Sequence, residues 1–383
     1  MLIEIRKTQF VNKGAELMLY SVLQKMKEAF PGAGFVMAPG TYNSSAPYQK
    51  RAELGLFQKA WLWRYRIPWG DLAGLAPKKV REMYGVVLDK EINIVIDASG
   101  FSYSDQWGIG ATRELARASR RWRKQGTKVI LVPQAMGPFT SPKIKKYIRS
   151  AADNVDLMFP RDPISYRHLI EVVGARPNIK MAPDFTNLIQ GILPDYFDPD
   201  KNRFCMVPNY RMIDKTPREQ SKAYTPFMIQ CARYLLEKDQ KPFVLVHEGE
   251  NDMMLARQIA EGAGGDLPII RESQPLKIKG ILGACQGTIG SRFHGLVSAL
   301  SQGVPSLATG WSHKYRMLFN DYGFEDGLLD VMEEDEEIRR KIDLIIEPVS
   351  RPEIQEEITA RSNELKKQAE EMWNTIFEVL GVK

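Results

Sequence analysis

The chain has 383 residues, 44% of them hydrophobic and 26% charged, with a formal net charge of +6. This length suits two domains, and no apolar run approaches the roughly 20 residues of a membrane-spanning helix. Cys205, Cys231 and Cys285 lie far apart, which excludes a disulfide framework and a Cys-x-x-Cys metal site.

Residues 2–10 alternate like a strand and carry no apolar leader core, so a cytoplasmic location is expected, with the inner face of the membrane as an option. Asn12-Lys13-Gly14 reads as a turn, after which Ala15, Met18, Leu19, Val22, Met26 and Phe30 mark one helical face. Residues 35–38 form a short strand. Residues 40–90 lack a clear period. They contain the aromatic run Trp61-Leu62-Trp63-Arg64-Tyr65 and a glycosylation sequon, Asn43-Ser44-Ser45, that means little without a secretion signal. A buried-type strand at 92–97 leads into Asp97-Ala98-Ser99-Gly100. A helix at 109–125 follows, then strands at 128–132, 156–159 and 179–182, with a helix between the last two. Repeated strand–helix units argue for a parallel sheet covered by helices.

Residues 191–202 are rich in turn formers and read as a linker. The pattern then restarts: strand 204–207, helix 221–239, strand 243–246, helix 252–262, strand 268–270, helix 275–284, strand 288–289, helix 294–302 and strand 306–308. Residues 351–380 form one long charged helix. The expected plan is a first Rossmann-like domain over 1–190, a linker at 191–202, a second such domain over 203–348, and a helix within 349–383 packed across both. Ligands of open α/β sheets bind outside the carboxyl ends of the strands. Asn12, Gly14, Glu16, Ser99, Gly100, Asp105, Gln134 and Arg161 from the first half should therefore share a cleft with His247, Glu248, Arg292, His294 and Lys314 from the second.

The most telling stretch is Gly290-Ser291-Arg292-Phe293-His294-Gly295, a strand end running into a helix, with Lys314 shortly after. Free N–H groups and the macrodipole at a helix start attract anions. An Arg and a His two residues apart there suit a small, highly charged substrate such as a phosphorylated carboxylate. The plainer alternative is a surface Arg beside a hydrogen-bonded buried His. The other histidines are His247 at a strand end, His313 beside Lys314, and His168 within a helix, which reads as structural. Basic clusters at 117–124 and 143–146 lie on helices. They read as solvated faces or, among functional roles, as a patch for a membrane surface. No nucleic-acid motif accompanies them.

In this order the segments resemble the polysaccharide pyruvyltransferase family. The carriers are Asn12-Lys13-Gly14-Ala15-Glu16, then Ile94 to Gly100 with Asp105, then Pro133-Gln134-Ala135-Met136-Gly137-Pro138. Arg161-Asp162-Pro163-Ile164-Ser165, Ala182-Pro183-Asp184, and Ser291-Arg292-Phe293-His294 with Lys314 follow. The chain departs from the family in having Ser99-Gly100-Phe101 where many members have two or three glycines, and Glu16 where some have Asp. The resemblance implies a GT-B-like fold of two doubly wound parallel-sheet domains. It implies transfer of a pyruvyl group from the co-substrate phosphoenolpyruvate to sugar hydroxyls as a cyclic ketal, in surface or capsular polysaccharide synthesis. No cofactor is expected.

On that reading Arg161, Ser291, Arg292, Phe293, His294 and Lys314 bind the donor, because arginines can grip phosphate and carboxylate bidentately. His294 is the general acid for the donor's methylene carbon, since imidazole titrates near neutrality. Asp105, Glu16 and Glu248 are candidate bases. Asn12, Gly14, Gly100, Gln134 and Glu248 are expected around a saccharide acceptor, lipid-linked or not. Asp198-Pro199-Asp200 matches an Asp-x-Asp metal motif but falls in the turn-rich stretch, and no other residues have ligand spacing, so no metal is expected. Two other readings stay open. One is a glycosyltransferase of the same fold using a nucleotide sugar, with Glu248 or Glu250 on the ribose. The other is a non-catalytic binder of anionic polymer or membrane.

Overall fold

The computed structural model describes residues 1–39, 48–62, 67–68, 70–310 and 314–382. The sequon at 43–45, the run Trp63-Arg64-Tyr65 and His313 lie outside the described residues. Among the described residues, no helix is long and apolar enough to cross a membrane. The chain divides into two units, Met1–Phe185 with Gln368–Lys383, and Thr186–Lys367.

The first unit is built on a parallel sheet of β1 (Leu2–Arg6), β2 (Gly34–Met37), β3 (Leu56–Lys59), β6 (Val86–Val87), β7 (Ile94–Asp97), β8 (Lys128–Gln134) and β9 (Leu157–Pro160). Its order is β6-β3-β2-β1-β7-β8-β9. A small antiparallel pair, β4 (Trp61–Leu62) and β5 (Ile67–Pro68), stands apart from it. The helices are α1 (Lys13–Ala29), α2 (Tyr48–Glu53), α3 (Gly70–Ala73), α4 (Lys78–Met83), α5 (Ile109–Gln125), α6 (Pro142–Ala152) and α7 (Pro163–Val173). Both faces of β1 are buried, as a parallel sheet flanked by helices requires. Its alternation puts Ile3 and Ile5 on one face and Glu4 and Arg6 on the other. Those two charges join a buried network. Lys59 pairs with Glu4 and Asp89 (2.5 and 2.7 Å), Arg6 pairs with Asp97 and Glu114, and the indole of Trp122 lies among them, 5.1 Å from the Lys59 ammonium.

Three expectations need correction here. Residues 40–90 hold two strands of the sheet, β3 and β6, too short to show a period. Residues 179–182 are not a strand: only Ile179 bridges to Met158, and Pro183 follows at once. Asn12-Lys13-Gly14 is not a free turn but the start of α1, where the Asn12 side chain accepts from Ala15 N (2.9 Å).

The second unit repeats the plan with β10 (Phe204–Val207), β11 (Pro242–Val246), β12 (Ile269–Arg271), β13 (Gly287–Gly290) and β14 (Ser306–Ala308). All pairings are parallel, in the order β12-β11-β10-β13-β14. Strand period two splits β10 between two cores: Phe204 and Met206 face one cluster, Cys205 and Val207 the other. The helices are α8 (Arg211–Asp214), α9 (Arg218–Glu237), α10 (Glu250–Ala263), α11 (Pro275–Gly283), α12 (Phe293–Leu300), α13 (Lys314–Asp321), α14 (Asp335–Ile346) and α15 (Ser350–Leu380).

Residues 191–202, expected as a linker, are packed on the second unit. Ile192 N donates to Leu276 O (2.9 Å), and a Cβ on Gly191 would stand 2.4 Å from Gly280 N, so the chain runs tightly over α11. The division falls ahead of that stretch because this close approach ties it to one side. The long helix α15 is shared. In the second unit its Ser362 Oγ donates to Ser301 O (2.8 Å); in the first, Glu370 pairs with Lys25 (2.8 Å) and Trp373 meets Phe185 edge-on at 6.2 Å.

Candidate functional site

The strand order of the second unit reverses between β10 and β13, and such a switch point leaves open space at the strand ends. Here β10 delivers Asn209 and Tyr210, β11 delivers His247 and Glu248, and β13 delivers Ser291 and Arg292. Ser291 is the anchor. Its N donates to Val207 O (3.0 Å), and its carbonyl accepts from Asn209 Nδ2 (2.6 Å) and the Tyr315 hydroxyl (2.8 Å). Its Oγ shares a hydrogen bond with the Tyr224 hydroxyl (2.8 Å). The approach of Tyr315 requires Gly310, where a Cβ would lie 2.2 Å from the Tyr315 ring.

The turn so fixed starts α12. Arg292 is its N-cap in extended conformation, but its side chain does not cap the helix. It runs instead to two carboxylates: Nη1 to Glu248 Oε2 (2.6 Å) and Nη2 to Asp252 Oδ2 (2.5 Å). Asp252 is fixed in turn by accepting from Tyr210 N (3.0 Å). The first turn of α12 therefore presents backbone N–H groups and the positive end of a helix beside a buried guanidinium. His294 is half-buried in that turn, its ring edge-on to Phe293 at 5.4 Å. Lys314 opens α13 and holds its ammonium 5.0 Å from the Phe293 ring and 5.4 Å from that of Tyr315. A Cβ on Gly295 would meet Arg292 Cβ at 3.4 Å and His247 Cδ2 at 3.7 Å, so His247 lines the same corner. Ser291, Arg292, Phe293, His294, Lys314, His247 and Glu248 are thus gathered in one place.

Burial works against the Arg292 cation, and Glu248 and Asp252 more than offset it, raising its pKa. Glu248 is pushed above the ordinary carboxylate range, first by burial and further by Asp252, with Arg292 opposing. Burial also keeps the Tyr224 and Tyr315 phenols neutral.

The remaining candidates belong to the first unit. Asn12 is spent on its cap, and Gly14 is buried in the first turn of α1. Glu16 is fully buried between Lys13 (2.7 Å) and Lys50 (2.8 Å). Gly100 adopts a left-handed φ of 66°, and Gln134 accepts from Ser99 Oγ. Asp105 accepts from Thr140 N and Oγ1 (2.6 and 2.8 Å). Burial raises its pKa, but those bonds outweigh burial and hold the carboxyl below its usual range, which works against a role as base. Arg161, at the end of β9, pairs with Asp184 (3.2 Å). His168 Nδ1 stands 3.3 Å from Met136 O. Asp198 accepts from Asp200 N (3.0 Å), a local turn. Among the described residues, no three His, Cys, Asp or Glu side chains come together as a group able to hold a metal ion.

Asn209, Tyr210, Tyr224, Asp252 and Tyr315 were not among the sequence candidates. The one available signal was the i, i+4 spacing of Glu248 and Asp252 across the start of α10.

The model of the polysaccharide pyruvyl transferase family matches residues 12–313. The chain belongs to that family. No curated protein matches it significantly in sequence. Among solved structures, Staphylococcus aureus MnaA with UDP is similar at TM-score 0.62 and 11% identity, over 100% of this chain and 97% of that one. A putative UDP-N-acetylglucosamine 2-epimerase from Listeria monocytogenes gives 0.62 and 13%, with the same coverage. Anabaena HepE in complex with UDP and glucose gives 0.57 and 14%, over 100% and 99%. These likenesses establish the GT-B-like fold of this family member, two Rossmann-like units each on a parallel sheet.

Proposed function

We propose that this family member transfers the pyruvyl group of phosphoenolpyruvate to two hydroxyls of a sugar in surface or capsular polysaccharide synthesis. The observation that carries the proposal is the gathering of Arg292, His294 and Lys314 at the start of α12 in a chain of the pyruvyl transferase family. The donor carries about three negative charges on few atoms, and such a ligand calls for cations and N–H donors in a small space. Arg292, Lys314 and the α12 N-terminus supply them, with Ser291 shaping the turn and Arg161 assigned as a third donor cation. His294 gives a proton to the methylene carbon, which becomes methyl. One sugar hydroxyl bonds to the adjacent carbon, a second replaces the phosphate there, and their two protons balance the new methyl and the hydrogen phosphate released.

Incubation with labelled phosphoenolpyruvate and a panel of hexosides tests this. The expected result is phosphate release dependent on one hexoside class, with label retained on the sugar. Label transfer from a UDP-sugar instead would favour the glycosyltransferase reading, to which the UDP-bound neighbours lend weight only through the fold. Under that reading Glu248 or Glu250 would hold the ribose. Glu248 is engaged by Arg292, and Glu250 is exposed and paired with Arg271 (2.7 Å). Activity is expected to persist in excess EDTA; loss restored by Mg²⁺ or Mn²⁺ would contradict a metal-free reaction.

Peripheral docking on an anionic lipid surface, where a lipid-linked acceptor would be met, belongs to the same proposal. Arg113, Arg117, Arg120 and Lys124 of α5 and Lys143 and Lys146 of α6 are exposed. Helix α6 has no acid, and the single acid of α5, Glu114, is drawn inward to Arg6. Trp107, 51% exposed, stands just ahead of α5. Each such cation near an anionic leaflet contributes about 1 kcal/mol. Co-sedimentation with phosphatidylserine-containing vesicles is expected at low salt, and not with phosphatidylcholine alone. Reversing Arg113, Arg117 and Arg120 to Glu should abolish it.

A further inference from the structure

Arg292 is already occupied by two carboxylates, and they are held differently. Asp252 is 1% exposed, and its second oxygen is fixed by Tyr210 N at 3.0 Å. Glu248 has a side chain 17% exposed, and among the described residues its only ion pair is with Arg292. The Arg292 side chain is itself 10% exposed, and its Nε–H has no acceptor among the described residues. A buried donor left in this state is costly unless something arrives to satisfy it. The site thus contains one permanent counter-ion, one removable counter-ion and one open donor, all on the same cation.

We infer that Glu248 is a gate on Arg292: an incoming multivalent anion displaces it, and it leaves as the neutral acid, having taken a proton from solvent. The inference rests on the donor reading above and adds a role for Glu248 other than base or acceptor ligand. The charged groups facing Glu248 are Arg292 from the β13 end, Asp252 on α10 and Arg211 on α8. In the free protein only the cations oppose the effects of burial and Asp252, which already set the carboxyl above its ordinary range. When an anion takes Arg292, the main stabiliser of the carboxylate is lost and a new negative charge comes close. Both changes favour the protonated form. The sign follows. Between the pKa of Glu248 in the free protein and its higher value in the complex, binding takes up a proton, so donor affinity falls as pH rises.

The test is calorimetry of phosphoenolpyruvate binding in two buffers of different ionisation enthalpy, with inorganic phosphate run alongside. The full-length protein, E248Q and H294Q are compared, the last to subtract any proton taken by His294. Proton uptake is expected in the unaltered protein and in H294Q, and reduced uptake in E248Q. E248Q is also expected to bind the donor on the order of tenfold more tightly, with a flatter pH profile, because a neutral amide competes weakly for a guanidinium. Weaker binding in E248Q, or unchanged proton uptake, would overturn the gate and make Glu248 a support for Arg292. Should E248Q not fold, absence of proton uptake in H294Q overturns it alone. Phosphate binding with proton uptake, but no phosphoenolpyruvate binding, would keep the gate and remove the donor reading. Failure of both ligands to bind would remove both.

Discussion

Arg292→Ala is expected to weaken phosphoenolpyruvate binding about tenfold or more, since a charge-assisted hydrogen bond to such a group is worth roughly 1.5–3 kcal/mol. The structure adds a second consequence. Arg292 holds Glu248 and Asp252 at 2.6 and 2.5 Å, and its loss leaves two carboxylates facing each other with no cation between them. Glu248 can protonate or swing outward, but Asp252 is 1% exposed and tied to Tyr210 N. Breaking a buried pair from one side typically costs about 3–5 kcal/mol. The variant should therefore unfold at a lower temperature, and more so as pH rises from the acid side, where Glu248, already raised by burial, is protonated. Binding must then be measured below its melting range. Arg292→Lys separates the two effects: it keeps a charge between the carboxylates, restoring most of the stability, but lacks the planar fork and should still bind the donor poorly. Unchanged donor affinity in Arg292→Ala, by calorimetry on folded protein, would remove Arg292 from the donor site.

What could be read beforehand was what is local in sequence. Ser291-Arg292-Phe293-His294 sits between a short apolar strand and an apolar helix, so its position at a strand end needed only the neighbouring residues. The alternate burial of Phe204, Cys205, Met206 and Val207 likewise follows from β-period alone. The partners of the motif were invisible because each arrives from a different element. Tyr224 reaches Ser291 from the middle of α9, Asn209 from the end of β10 and Tyr315 from α13; no spacing in the chain announces that they meet. Short strands failed for another reason. Val86–Val87 is two residues long and gains its identity only by pairing with β3. Helix α14 is legible in the sequence, with Ile338, Ile342, Ile345 and Ile346 at helical spacing behind an acidic first turn. In the first unit, Glu16 and Asp105 stand as candidate bases in the sequence. The fold supplies Lys13 and Lys50 to one and Thr140 to the other; Lys13 stands at i, i+3 spacing on α1, whereas Lys50 and Thr140 come from distant segments that no spacing announces.

His294→Gln and His294→Ala are expected to lower kcat by about 10²–10⁴-fold, the usual contribution of a general acid, while leaving the protein folded. The stability expectation comes from placement. The ring is half-buried at the open end of α12 and meets Phe293 only edge-on, so its removal deletes little core packing. The catalytic expectation comes from company. The residue shares its turn with the N-cap Arg292, and Lys314 stands over the intervening Phe293 ring at 5.0 Å. A trianionic donor arriving among these cations reverses the local charge balance and favours the imidazolium, so the proton is available mainly when there is a methylene carbon to receive it. Donor affinity should fall less than in Arg292→Ala, since the imidazole adds one contact to a site that keeps its guanidinium. The discriminating measurement is the split between kcat and KM. A variant with near-normal kcat and a much-raised KM would make His294 a binding residue. The acid would then be His247, whose ring lines the same corner beside Gly295, or Lys314. The double variant of His247 and His294 distinguishes these: if His247 is the acid, its loss alone carries the full fall in kcat, and adding the second substitution changes only KM.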